Sequence, residues 1–123
     1  MHAIAAIALA VFLIAVGIAH FLIPDHFRAL VPQWLGQADP WVAATGAAEI
    51  FVGALVLMPW GRSAGGWAAA VLITAYLVSH VDALWHARSD RPGVLERPLG
   101  AVARLLVNVL YIGWAAAVAL TAP

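Results

Sequence analysis

The sequence predicts an all-α integral membrane protein: an up-down four-helix bundle with a short interfacial segment between its first two helices. Two observations set the class. The 123-residue chain is 65% hydrophobic and 10% charged, too apolar for a water-soluble surface. Its apolar residues also fall into four runs that can each cross roughly 30 Å of hydrocarbon, at about 1.5 Å of helix rise per residue. A third observation sets the connectivity: the breaks between runs are short, so successive helices run antiparallel within one membrane domain over residues 1–123.

Composition excludes other classes. The six basic residues are all arginines and are balanced by six acids, so no basic face is offered to nucleic acid. Cysteine is absent, which removes disulfides, thiolate metal sites and an intrinsic dithiol relay. Electrons, if they move here, need a bound cofactor or substrate.

The first span covers 3–23. It lacks a basic leader and exceeds the usual signal-peptide core, so it is expected to stay in the membrane. Pro24 ends it. Residues 25–36 mix Phe27, Leu30, Val31, Trp34 and Leu35 with Asp25, His26, Arg28 and Gln33, a composition suited to the headgroup level. Asp39 and Pro40 open the second span, 41–58, since proline is tolerated in a helix's first turn. Pro59 to Arg62 make a tight loop. The third span, 64–87, is purely apolar for only part of its length and must continue through Ser79, His80 and Asp82 to cross. The charged loop from Arg88 to Pro98 precedes the fourth span, 99–121. Trp34, Trp41, Trp60, Trp67, Trp85 and Trp114 mostly fall at span ends, as an aromatic belt does.

One carboxylate organises the chain. Glu49 lies in the middle of the second span, with Gly46 and Gly53 on the same helical face, so a neighbouring backbone can approach it. An ionisable group at membrane depth is costly and normally faces the bundle interior. Counting from one membrane side, His20 lies roughly 6 Å deep, Glu49 roughly 13 Å, His80 roughly 10 Å, Arg104 roughly 9 Å and Asn108 roughly 15 Å. The opposite half of every span lacks ionisable groups. This asymmetry predicts a polar pocket opening toward the first and third loops, closed beyond by apolar packing.

Helical geometry orders the candidates. Arg104, Asn108, Tyr111 and Ala115 form one stripe. Tyr76 and His80 share a face of the third span, whereas Ser79, Asp82 and His86 share another, where Asp82 and His86 can pair one turn apart. Two plain readings stand beside the functional one: Glu49 pairs with Arg104 as structural glue, and His20 is a hydrogen-bonded helix-end histidine. His26 is expected to be solvated. His20, His80 and Glu49 have the right chemistry for a metal, but their spacing does not specify one, and bis-histidine haem has still less support.

Three stretches carry a resemblance: GIAHFLIPDHFRALVPQWL at 17–35, TGAAEIFVGALVLMP-GR at 45–62 with Trp60 in the gap, and RLLVNVLYIGWA at 104–115. Together they resemble the DoxX family of small four-helix membrane proteins. His20, Phe21, Pro24, Val31, Pro32, Trp34, Gly46, Glu49, Gly53, Arg104 and Trp114 fall on that family's pattern, Asn108 replaces a usual glutamine, and Ser79 to Asp82 depart from its P-A-N. The resemblance implies an inner-membrane protein associated with redox chemistry, including quinone-linked oxidoreduction and oxidative-stress partners.

The expectation is therefore a quinone-linked or redox-accessory protein. Glu49 and His20 act as the acid-base pair, and His80, Arg104, Asn108 and Tyr76 bind the ligand, a quinone or another small amphipathic molecule. Its partners are the bilayer and either a redox subunit or further copies of the chain. A non-catalytic assembly subunit and an oligomeric small-solute carrier are the alternatives. Arg28, Arg88, Arg91 and Arg97 on the first and third loops orient those loops toward the cytoplasm and the termini outside.

Overall fold

A computed structural model describes residues 2–122. Among them the regular structure is entirely helical. The helices are α1 (His2–Leu22), α2 (Pro24–Arg28), α3 (Ala38–Leu57), α4 (Arg62–Ala75), α5 (Leu77–Trp85) and α6 (Pro98–Thr121), with single 3-10 turns at Gln33–Leu35, Pro59–Gly61 and Val94–Glu96. Four stretches are long and apolar enough to cross a membrane: Ala3–Leu22, Ala38–Leu57, Pro59–Trp85 and Pro98–Thr121. Each overlaps a predicted span, so the chain fits a multi-pass membrane protein.

The segment after α1 is more structured than its composition indicates. Pro24 ends α1 and starts α2 at the position where its missing N–H costs nothing. Gly36, at φ 87°, turns the chain into α3, a left-handed conformation that favours glycine.

The third span is interrupted at Tyr76, whose N–H bonds the Leu72 and Ile73 carbonyls at 3.2 and 3.1 Å. A side chain from another helix lies at the break. Asn108 on α6 donates its Nδ2–H to the Ile73 carbonyl at 3.0 Å, taking the acceptor that an unbroken helix would give to Leu77. Periodicity within the third span cannot register this.

Close backbone approach sets the packing. A methyl group at Gly46 would lie 2.7 Å from His20 Cβ, and one at Gly53 would lie 2.7 Å from Ile14 Cγ1, so α1 and α3 touch along a glycine track. Gly66 does the same for α4 and α6, where a methyl would lie 2.8 Å from the Ala119 nitrogen. The core draws Ala6, Leu9 and Leu13 from α1, Val52 and Val56 from α3, Ala69 and Ile73 from α4, and Ala115 and Val118 from α6. These small, interlocking side chains fill the half without ionisable groups. Larger apolar residues such as Ile4, Phe51, Val71, Leu110 and Leu120 point outward, a distribution compatible with surrounding hydrocarbon. Trp114 donates its indole N–H to the Ala5 carbonyl at 3.1 Å, joining α6 to α1.

Candidate functional site

Glu49 lies on the buried stripe of α3 with Val42, Gly46, Val52 and Val56, and is only 4% exposed. Gly46 and Gly17 bring α1 close enough for His20, in the last turn of that helix, to reach it. His20 Nδ1 is 2.7 Å from the Val16 carbonyl and 3.3 Å from Glu49 Oε2. A carbonyl can only accept, so Nδ1 carries the proton and donates it to Val16. Glu49 Oε2 then has an electrostatic neighbour but no hydrogen-bond donor, and His20 Nε2 is the nitrogen left for other partners. The Phe27 ring stacks on the imidazole at 3.8 Å between centroids and 18° between planes, fixing its orientation.

These groups line a cavity of about 620 Å³. Its walls are mainly apolar, formed by Phe12, Leu13 and Val16 of α1, Val42 of α3, Leu72 of α4, and Tyr111 of α6. Against this background, Glu49 Oε2, Tyr76 Oη and His80 Nδ1 are buried without a hydrogen-bond partner among the described residues. The Tyr76 hydroxyl has Glu49 and Thr45 beside it. Thr45 itself is satisfied through the Trp41 carbonyl at 2.7 Å. His80 has Asn108 and Arg104 as neighbours. Buried polar atoms are nearly always paired, and the Tyr76 hydroxyl is close enough to Glu49 to act on it; this cluster of buried polar groups around one apolar cavity makes it the candidate site.

The segment after α1 closes one side. Phe27, Leu30, Val31, Pro32, Trp34 and Leu35 all line the cavity. It is fastened to α5, where Ser79 Oγ donates to the Leu30 carbonyl at 2.5 Å and Trp34 Nε1 donates to Asp82 Oδ1 at 3.2 Å. Trp41 Nε1 reaches the Leu35 carbonyl at 3.2 Å. Arg28 bridges Asp25 and Asp39, and hydrogen bonding to Asp39 and then to Asp25 raises its already high pKa, so it stays a cation.

Of the residues singled out by sequence, Glu49, His20, Tyr76, His80 and Asn108 all line the cavity, whereas Arg104 does not. The Glu49–Arg104 ion pair does not form among the described residues; the glutamate faces His20 instead. Asn108 spends an N–H on Ile73, so part of its role is structural. His20, His80 and Glu49 do not gather as a three-ligand metal set, and no other such cluster exists among the described residues. Asp82 and His86 do meet one turn apart, at 3.3 Å. Sequence reasoning missed Phe27, Leu30, Trp34 and Thr45 as wall residues. For Phe27, Leu30 and Trp34 the one available signal was the aromatic content of a segment that looked merely interfacial; Thr45, on α3 one turn before Glu49, had only that spacing.

Residues 9–119 match the profile of a domain of unknown function, DUF8561, and the chain belongs to that family. This corrects the resemblance to DoxX: no DoxX profile matches, and several of the shared residues serve helix packing here. Gly17, Gly46 and Gly53 permit helix contact, and Pro24 and Pro32 shape the connecting segment. No curated protein and no solved structure matches the chain.

Proposed function

We propose that this DUF8561 member is a multi-pass membrane protein, folded as an up-down four-helix bundle, that binds one small amphipathic molecule with its polar head at Glu49. The observation that carries this reading is the 620 Å³ apolar cavity with Glu49 Oε2, Tyr76 Oη and His80 Nδ1 buried around it without a hydrogen-bond partner among the described residues. A ligand for such a site needs an apolar body and a head that both accepts and donates hydrogen bonds. A quinone or quinol fits: its ring oxygens accept in one redox state and donate in the other.

In this reading Glu49 exchanges the proton that a ring oxygen gains or loses when a partner's electrons change its redox state. His20 orients the carboxylate through its Nδ1–H side, and Tyr76 and His80 hold the head. Asn108 acts mainly by keeping the third span broken beside the cavity, as interrupted helices do where they line binding sites. The redox expectation no longer draws on family likeness and rests on this geometry alone. In this reading the arginines of the first and third loops favour a cytoplasmic side for the capped end.

Photo-crosslinking with a membrane-soluble azidoquinone tests the proposal. Labels are expected on residues 27–35, 41–49 and 72–80, and competition by unlabelled quinone is expected to remove them. Labels confined to outward residues such as Phe51, Val71 and Leu110, without competition, would refute it.

A further inference from the structure

Arg104 is the intramembrane cation that the cavity does not use. Its Nη2 is buried and has no hydrogen-bond partner among the described residues, and the residue as a whole is half-buried. A guanidinium remains charged in any surroundings, so a buried, unanswered N–H of this kind calls for an anionic acceptor. None of the chain's acids supplies it: Glu96 is close but exposed, and no carboxylate forms an ion pair with Arg104 among the described residues. The second such nitrogen is His80 Nδ1 on α5, which packs against α6, and the Arg104 charge is close enough to act on it. Among the described residues neither nitrogen has a hydrogen-bond partner, and Arg104 lies about two turns inside the start of α6, where the Val94–Glu96 turn packs on that helix.

We infer that Arg104 and His80 form a binding site for a phosphate oxyanion between α5 and α6, and that an anionic phospholipid headgroup or free phosphate occupies it. Basic pockets between membrane helices near a loop face are where lipid phosphates are held, and guanidinium offers the matched pair of donors. This inference rests on the membrane placement proposed above but not on the ligand of the Glu49 cavity. Arg104 lies outside that cavity, whereas His80 Nδ1 borders both sites, so a phosphate that takes it leaves Glu49 and Tyr76 to hold the head of the cavity ligand.

Native mass spectrometry of the full chain released from mild detergent decides it. The additions are phosphatidylglycerol, phosphatidylcholine or inorganic phosphate. The wild type is expected to retain phosphatidylglycerol over phosphatidylcholine. Arg104→Gln should cut that adduct at least tenfold, Arg104→Lys should keep a weakened one, and Arg97→Gln, in the exposed loop, should not change it. An Arg104-dependent adduct with inorganic phosphate and no preference for phosphatidylglycerol assigns the site to the free anion. Glu49→Gln should leave the phospholipid adduct in place, so failure here is distinguishable from failure of the cavity proposal. If Arg104→Gln does not fold, His80→Asn carries the test, with an expected loss of at least threefold. Equal phosphatidylglycerol retention by wild type and Arg104→Gln, or equal retention of the two lipids by the wild type, overturns the inference when no Arg104-dependent phosphate adduct forms either.

Discussion

His20 and Glu49 meet at 3.3 Å between Nδ1 and Oε2, from different helices, with the imidazole proton committed to the Val16 carbonyl. The carboxylate is therefore held close to a dipolar ring yet keeps a free acceptor oxygen. That is the arrangement of a group kept ready for a ligand rather than used up in an internal bridge.

The pair should show coupling in unfolding experiments. His20→Phe keeps an aromatic surface for Phe27 but takes the dipolar ring away from the Glu49 carboxylate, and it should cost about 1–3 kcal/mol, the range for a buried polar group that loses its polar neighbour. Adding Glu49→Gln should cost less than the sum of the two single changes, because the carboxylate that the ring accompanied is gone. Additive losses in detergent unfolding would show that the two side chains act independently.

Asn108→Leu removes the donor on the Ile73 carbonyl and should destabilise the protein by about 1–3 kcal/mol. Freed of its competitor, that carbonyl becomes available to the Leu77 amide. Hydrogen exchange at Leu77 should slow in the variant relative to neighbouring amides. Unchanged exchange there would mean that Asn108 does not cause the break.

The glycine track predicts opposite outcomes on two faces. Gly46→Val places branched carbons where His20 Cβ and the Gly17 carbonyl already lie within 2.7 and 3.2 Å, and it should cost about 1–3 kcal/mol while moving His20 away from Glu49. Gly113→Ala meets nothing within 4 Å and should be neutral or stabilise by about 0.5–1 kcal/mol through helix propensity. Thermal unfolding of the two variants side by side checks the pair.

On the proposed reading, the fastened segment over the cavity should govern ligand exchange. Ser79→Ala with Asp82→Ala removes the bonds to the Leu30 carbonyl and the Trp34 indole, each worth about 0.5–1.5 kcal/mol, so quinone release should speed up about tenfold with a smaller effect on association. Stopped-flow displacement measures it. An unchanged release rate would mean that ligand leaves between helices instead.

Much of this fold was legible because hydrocarbon allows few solutions. The ends of the four spans lie within a few residues of where Pro24, Pro40, Pro59 and Pro98 mark them. The burial of Glu49 also followed, since Gly46 and Gly53 on its face admit a close neighbour. Its partner followed only in part: the sequence offered both His20, as an acid-base neighbour, and Arg104, as an ionic one. Choosing between them needs interhelical rotation, which residue spacing within one helix does not encode. The break at Tyr76 was hidden for a related reason, because the side chain that lies at it comes from 32 positions away on α6. The segment 25–36 looked amphipathic, and whether it rests on lipid or on the cavity depends on Ser79 and Asp82, contributed from α5.

The most direct measurement is native mass spectrometry of the purified protein and Glu49→Gln, each titrated with a short-chain quinone and checked for an intact fold by thermal unfolding. The account predicts one quinone per wild-type chain and binding about 10–100-fold weaker in the folded variant, the loss expected for a hydrogen bond to a charged group. Equal binding by the two proteins, or none by the wild type, would contradict it.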